Sequence, residues 1–91
     1  MRIKPVEIYS DATNAAVMRH PGRRFPGMLI QGDTLNNLSR MAAAALIGAE
    51  PESDHWHDLK ELADDLRWRV DFYSQVMREH ALELPFSDGN E

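Results

Sequence analysis

The chain has no cysteine among its 91 residues, which excludes disulfide bonds and thiolate metal sites. The absence of thiols fits a reducing compartment, and we expect a cytoplasmic protein. The first residues include no apolar segment of the kind that a signal peptide needs. No apolar run approaches the roughly 18 residues of a membrane span. We therefore expect no secretion and no contact with a membrane.

Aromatic residues make up only 8% of the chain, although 43% of its residues are hydrophobic. A chain of this length folds as one domain with a thin core. We predict a single domain over residues 1–86 and a frayed C-terminal tail over residues 87–91. A homodimer or a protein partner would add the burial that so short a chain lacks.

Positive charge is scarce in the second half of the chain. Residues 1–49 carry a net charge of +3, whereas residues 50–91 carry −8. Binding to nucleic acid or to an anionic membrane needs a broad basic face, so we expect neither. The acidic half is either a solvated helix face or a surface that docks onto a basic protein.

Three short apolar segments in the first third of the chain predict β-strands, at residues 3–9, 15–19 and 28–31. Turn residues separate the first two, and a loop with two Pro-Gly steps separates the last two. Three strands joined by loops predict an antiparallel meander, which leaves one face to be covered.

The remaining residues predict two helices. Asp33 is placed to cap the first helix, Gly48 to end it, and Pro51 to start the second, which continues to about residue 83. The predicted inner face of the first helix comprises Leu35, Leu38, Met41, Ala42, Ala45 and Leu46. The fold class is thus α+β, a small three-stranded antiparallel sheet followed by a helical hairpin with a long C-terminal helix (β-β-β-α-α).

Two apolar stripes follow the predicted second helix. The main one is a heptad seam formed by Trp56, Leu59, Ala63, Leu66, Val70, Tyr73 and Met77. Trp68, Phe72 and Val76 form a second stripe on the far side. The second stripe either packs on the sheet or leaves Trp68 and Phe72 as exposed anchors of an interface. Pairing of either stripe between two chains would give a homodimer.

Most of the chain resembles a family of short, uncharacterised bacterial proteins, a domain of unknown function. The resemblance lies in Val-Glu-Ile-Tyr-Ser-Asp and Thr-Asn-Ala-Ala near the start, Arg-His-Pro-Gly-Arg-Arg-Phe-Pro-Gly in the middle, and Met-Arg-Glu-His and Leu-Glu-Leu-Pro at the end. The resemblance implies membership of that family and no particular function.

Residues 25–35, Phe-Pro-Gly-Met-Leu-Ile-Gln-Gly-Asp-Thr-Leu, are similar to a junction in HicB-type antitoxins. The similarity implies a strand that leads directly into a helix on a small antiparallel sheet. In that family another strand, and often a DNA-binding segment, follows the first helix. Here a long acidic helix follows instead, so neither inhibition of an RNase toxin nor operator binding is implied.

No arrangement of residues indicates catalysis, and we predict that the protein is not an enzyme. The five serines lie in no nucleophile elbow, and no glycine-rich phosphate loop follows a strand. His55 and His57 lie about 200° apart on a helix and cannot bind one ion together. We expect no metal site and no cofactor.

The basic turn, residues 19–24, is the candidate site for a small anion. It contains Arg19, His20, Arg23 and Arg24, and its glycine permits close approach of a ligand to the backbone. The alternative is an exposed hairpin loop whose arginines pair with acidic residues of the long helix.

The composition and the long helix together predict a small, non-catalytic bacterial binding protein that inhibits a partner protein, as immunity proteins and antitoxins do. A toxin or another basic effector would face the acidic helix, with Trp68 and Phe72 as anchors and Asp65, Glu61 and Asp64 as complementary charges. The alternative is a homodimeric structural or sensing module that binds a small anionic ligand at the basic turn.

Overall fold

The computed structural model of the chain describes residues 1–87 and contains three strands and two helices. They are β1 (Glu7–Ser10), β2 (Ala16–Arg19), β3 (Gly27–Leu29), α1 (Gly32–Gly48) and α2 (Asp54–Glu79). This order confirms the predicted α+β fold class. The chain divides into two compact units, Met1–Gln31 and Gly32–Glu91. A single domain over residues 1–86 stays a prediction, and residues 88–91 of the predicted tail lie outside the described residues.

The first unit is a three-stranded antiparallel meander in the order β1-β2-β3. Ile8 lies opposite Met18 and Val17 lies opposite Met28, with an irregularity in the pairing between Ile8 and Ser10. The meander was predicted, but the strands are shorter than expected. Proline lacks the backbone N–H that a ladder needs, and Pro5 precedes β1 in the segment that was predicted as strand.

The second unit is a hairpin in which α1 packs against α2. All seven members of the predicted heptad seam are buried or half-buried, with Ala63 and Val70 buried. The seam is therefore the inner face of α2, as its periodicity indicated. Within the chain the seam packs against α1, and pairing of two chains stays a prediction.

The prediction of which α1 residues face the core is partly wrong. Leu38, Met41 and Ala45 are exposed, and the buried residues of this helix are Gly32, Asn36, Ser39 and Ala42. These small and polar side chains allow a close approach of the two helices. The ring of Tyr73 lies directly against the backbone of Gly32. Of the larger apolar residues predicted for this face, Leu35 and Leu46 are half-buried.

The helix ends also differ from the expected ones. Ser53 caps α2, because its hydroxyl oxygen accepts a hydrogen bond from the Trp56 N–H at 3.1 Å. Helix α2 therefore begins at Asp54, not at Pro51. Asp33 lies in the first turn of α1 and does not precede it, and its carboxylate accepts from the N–H of Thr34. Gly48 ends α1 as predicted.

Helix α2 ends at Glu79, earlier than expected, in a left-handed turn. The N–H of Leu82 donates to the carbonyl of Met77 at 2.9 Å, and Ala81 adopts a φ of 55°. This six-residue closure is typical of a helix C-terminus, and the Met77 carbonyl also accepts from the N–H of His80 at 3.2 Å. The chain is thereby redirected before Phe86, whose ring packs near that of Tyr73 at 6.3 Å between centroids.

Candidate functional site

The outer face of α2 carries two exposed aromatic rings. Trp68 and Phe72 retain 62% and 54% of their surface, and their rings stack in parallel with centroids 5.6 Å apart. At 100° per residue both lie about 160° around the helix from the buried Val70. The helix therefore holds them on the side opposite to α1, where they form an apolar platform in solvent.

The acidic residues predicted to accompany these rings are all exposed on α2. Asp64 accepts a hydrogen bond from Lys60 at 2.9 Å, and Asp65 accepts one from Arg69 at 2.8 Å. Such exposed pairs one helical turn apart add little stability. A positively charged group of a partner could therefore displace Lys60 from Asp64, or Arg69 from Asp65, with little loss of stability. Within residues 1–87, Glu61 has no ion-pair partner.

A shallow hollow on α2 lies beside the acidic residues. It is lined by Asp58, Glu61, Leu62 and Asp65, and it encloses about 310 Å³. Three carboxylates around one leucine make a surface that suits a basic side chain with an aliphatic stem. The helix thus presents an aromatic platform and an acidic hollow, both of which include parts of the predicted partner-binding set.

The basic turn does not gather its three arginines around one point. Arg19 is held by Glu7, whose carboxylate it contacts through Nε at 3.0 Å and through Nη2. Arg24 lies over the ring of Phe25 at 5.2 Å from its centroid. The hydrogen bonds from Arg19 and then from Tyr9 lower the pKa of Glu7. The structure thus engages two of the arginines locally, and anion binding at this turn stays a prediction.

Arg23 and His20 nevertheless line two hollows in the first unit. One, of about 360 Å³, also includes Glu7 and Arg19. The other, of about 410 Å³, is predominantly apolar, with Val6, Met18, Phe25, Met28 and Leu29 among its lining residues. Every residue of this unit is exposed or half-buried. The sheet therefore presents apolar surface that the sequence did not assign to a ligand.

The structure brings together a polar groove that the sequence did not predict. It lies between α1 and α2 and encloses about 480 Å³. Its polar lining residues include Asn36, Arg40, Arg67, Asp71, Ser74, Gln75 and Arg78. The sequence did contain an indication of this groove, since Asn36 and Ser74 are polar residues on the inner faces of two amphipathic helices. A polar residue at such a position is buried and needs a partner.

Metal-binding geometry is not found among the described residues. No group of three or more histidine and carboxylate side chains comes together within residues 1–87. His57 contacts Glu52, with 3.2 Å between Nε2 and Oε2. Neither α1 nor α2, in the part of the chain that is described, is long and apolar enough to cross a membrane. A cytoplasmic location stays a prediction.

Comparison with known proteins adds a family. The model of the "Family of unknown function (DUF6959)" matches residues 1–86. No curated protein and no solved structure matches the chain. This family match does not concern HicB-type antitoxins, so the similarity of residues 25–35 to those proteins stays a prediction. Because the match covers nearly the whole sequence and both structural units, the chain belongs to the DUF6959 family.

Proposed function

We propose that this chain is a non-catalytic binding protein that inhibits a basic partner protein, in the manner of an immunity protein or antitoxin, through the outer face of α2. The stacked pair of Trp68 and Phe72 carries this proposal. Two large rings that remain more than half exposed on a well-formed helix are costly unless they are covered in a complex. Tryptophan is also among the residues most often found at energetic hot spots.

The two rings are prepared for binding before a partner arrives. Their parallel stacking, at 5.6 Å between centroids, restricts both side chains. A surface that is ordered in the free protein loses less conformational entropy on association. The helix backbone fixes the spacing of the rings, so a partner needs one apolar cleft that is wide enough for the stacked pair.

The surrounding charge selects the kind of partner. From residue 32 to the end of the chain there are thirteen acidic and five basic residues, a net charge of −8. Glu61, Asp64 and Asp65 lie on α2 within two turns before Trp68. Negative charge around an apolar centre steers a positively charged partner and disfavours acidic ones. The expected partner is a basic protein whose functional cleft α2 would occlude.

Affinity capture with matched variants tests this function. The full chain is immobilised and exposed to lysate of its own host, and recovered proteins are quantified by mass spectrometry. We expect a basic protein to be enriched by the wild type and by Ile47→Ala, but not by the double variant Trp68→Ala/Phe72→Ala. Ile47 is the matched control because it is 87% exposed on α1, away from the stacked rings.

The purified partner then allows a quantitative measurement. Titration calorimetry should show that the double variant weakens binding by at least about 3 kcal/mol, a loss typical of two hot-spot side chains. Glu61→Gln should reduce the association rate and its dependence on salt. The proposal is wrong if the double variant captures the same proteins as the wild type, or if the partner retains its activity when saturated with the chain.

A further inference from the structure

The polar groove concentrates the basic residues of the second unit. Arg40 of α1 and Arg67 and Arg78 of α2 line it, and these are three of the five basic residues after residue 31. Among residues 1–87, Asp71 is the one acidic lining residue, and its Oδ1 lies 3.1 Å from Arg67 Nε. The lining residues within 1–87 therefore carry a net charge of +2, whereas the chain from residue 32 onward carries −8. Such an inversion of charge indicates an anionic ligand.

Two buried polar side chains form the inner part of this groove. Asn36 and Ser74 are 6% and 4% exposed, and neither has a hydrogen-bond partner among residues 1–87. The described residues contain no buried side-chain nitrogen or oxygen that is both sealed from solvent and unpaired. The amide of Asn36 and the hydroxyl of Ser74 therefore open into the groove. Both groups keep access to solvent in the groove, and a ligand there would replace water with direct hydrogen bonds.

We propose that the polar groove binds a small organic dianion, a phosphate monoester with an apolar body. Guanidinium groups at Arg40 and Arg67 match phosphate oxygens in charge and in geometry. Asn36 and Ser74, which also line the groove, supply a neutral amide and hydroxyl donor. Val70 and Phe86, also in the lining, provide the apolar wall against which the ester group lies. The volume of about 480 Å³ is typical of small-molecule sites.

Arg40 is the residue that best reports this ligand. It has no ion-pair or hydrogen-bond partner among residues 1–87, whereas Arg67 already contacts Asp71. Replacement of Arg40 therefore removes ligand affinity without breaking a contact of the free protein. Lys60 offers the matched control, because Lys60→Gln removes the same charge from an exposed position of α2 outside the groove.

Nuclear magnetic resonance of the full chain provides the test, with phenyl phosphate as the probe. We expect saturable shifts of the amide signals of Asn36, Arg40 and Ser74 at millimolar concentrations or below. Arg40→Gln should weaken binding about tenfold, the loss of one charge-assisted contact, and Lys60→Gln less than about twofold. Ser74→Ala should weaken it by about threefold to tenfold while retaining the helix packing.

Further probes separate the parts of the ligand. Inorganic phosphate should shift the same signals but bind more weakly than phenyl phosphate, and phenol should not bind. The proposal is overturned by the absence of saturable shifts, by equal weakening in Arg40→Gln and Lys60→Gln, or by equal affinities for phenyl and inorganic phosphate. Trp68→Ala/Phe72→Ala should leave phosphate binding unchanged, so this result does not depend on the proposed partner protein.

Discussion

The ring of Tyr73 lies across Gly32 so closely that position 32 has no room for a Cβ atom. A Cβ built there would fall 2.6 Å from Tyr73 Cε1 and still closer to other atoms of the ring. The start of α1 can thus approach α2 only because residue 32 is glycine. Gly32 is buried in this contact, and Tyr73 is a member of the heptad seam.

Gly32→Ala should destabilise the protein by about 1–3 kcal/mol, because the added methyl group overpacks against Tyr73. Gly48→Ala is the matched control, since a Cβ there meets nothing within 4 Å. Alanine favours the helix, so this control should be neutral or stabilise the fold by up to about 1 kcal/mol. Urea unfolding measures both changes. Equal effects of the two substitutions would show that Tyr73 does not exclude a side chain at position 32.

The N-terminus of α2 depends on Ser53, whose hydroxyl oxygen accepts the N–H of Trp56. Ser53→Ala should reduce the free energy of unfolding by about 1 kcal/mol, because it leaves an N–H of the first turn without its cap. Ser53→Asp should keep most of the stability, since aspartate also caps and its charge favours the helix N-terminus. Thermal unfolding compares them. A loss in Ser53→Asp as large as in Ser53→Ala would contradict the capping role.

The sequence predicted the fold better than it predicted the groove. The seam of α2 was readable because seven apolar residues repeat at the heptad spacing over almost the whole helix. The facing side of α1 was readable only in part, because Ala42 was predicted but the other buried residues, Gly32, Asn36 and Ser39, are small or polar. Periodicity of large apolar residues favoured Leu38 and Met41, which are exposed.

The polar groove was missed for the same physical reason. Its residues lie on two helices, and only their packing brings Arg40 near Arg67 in one lining. A single sequence carries the period of each helix but not the rotation of one helix against the other. By contrast, Trp68 and Phe72 were identifiable because both lie on one helix, four residues apart and opposite the seam.

Ala81 closes the end of α2 in a left-handed conformation, with φ 55°. This conformation costs an L-residue roughly 1 kcal/mol that glycine avoids. Ala81→Gly should therefore stabilise the protein, although by less than the full amount because glycine also gains entropy in the unfolded chain. Ala43→Gly, at an exposed position in the interior of α1, is the contrasting variant and should destabilise by about 1 kcal/mol. Chemical denaturation that shows a loss in both would argue against the left-handed turn.

The pairing of β1 with β2 includes a contact that depends on pH. Arg19 and, to a smaller degree, Tyr9 donate hydrogen bonds to Glu7 and lower its pKa below the ordinary value of 4.5. Since the folded protein binds this proton less tightly than the unfolded chain, the contribution of Glu7 to stability is present above pH 4.5. It is lost as the pH falls through the lowered pKa of the folded state.

Titration of the Glu7 carboxylate by nuclear magnetic resonance tests this contact. Its pKa should be below 4.5 in the wild type, and it should rise most in Arg19→Gln and less in Tyr9→Phe, in the order of their contributions. Lys4→Gln removes the same charge from a nearby exposed position and should leave the pKa almost unchanged. A rise in Lys4→Gln equal to that in Arg19→Gln would mean that the net charge of the first unit, and not the contact with Arg19, lowers the pKa of Glu7.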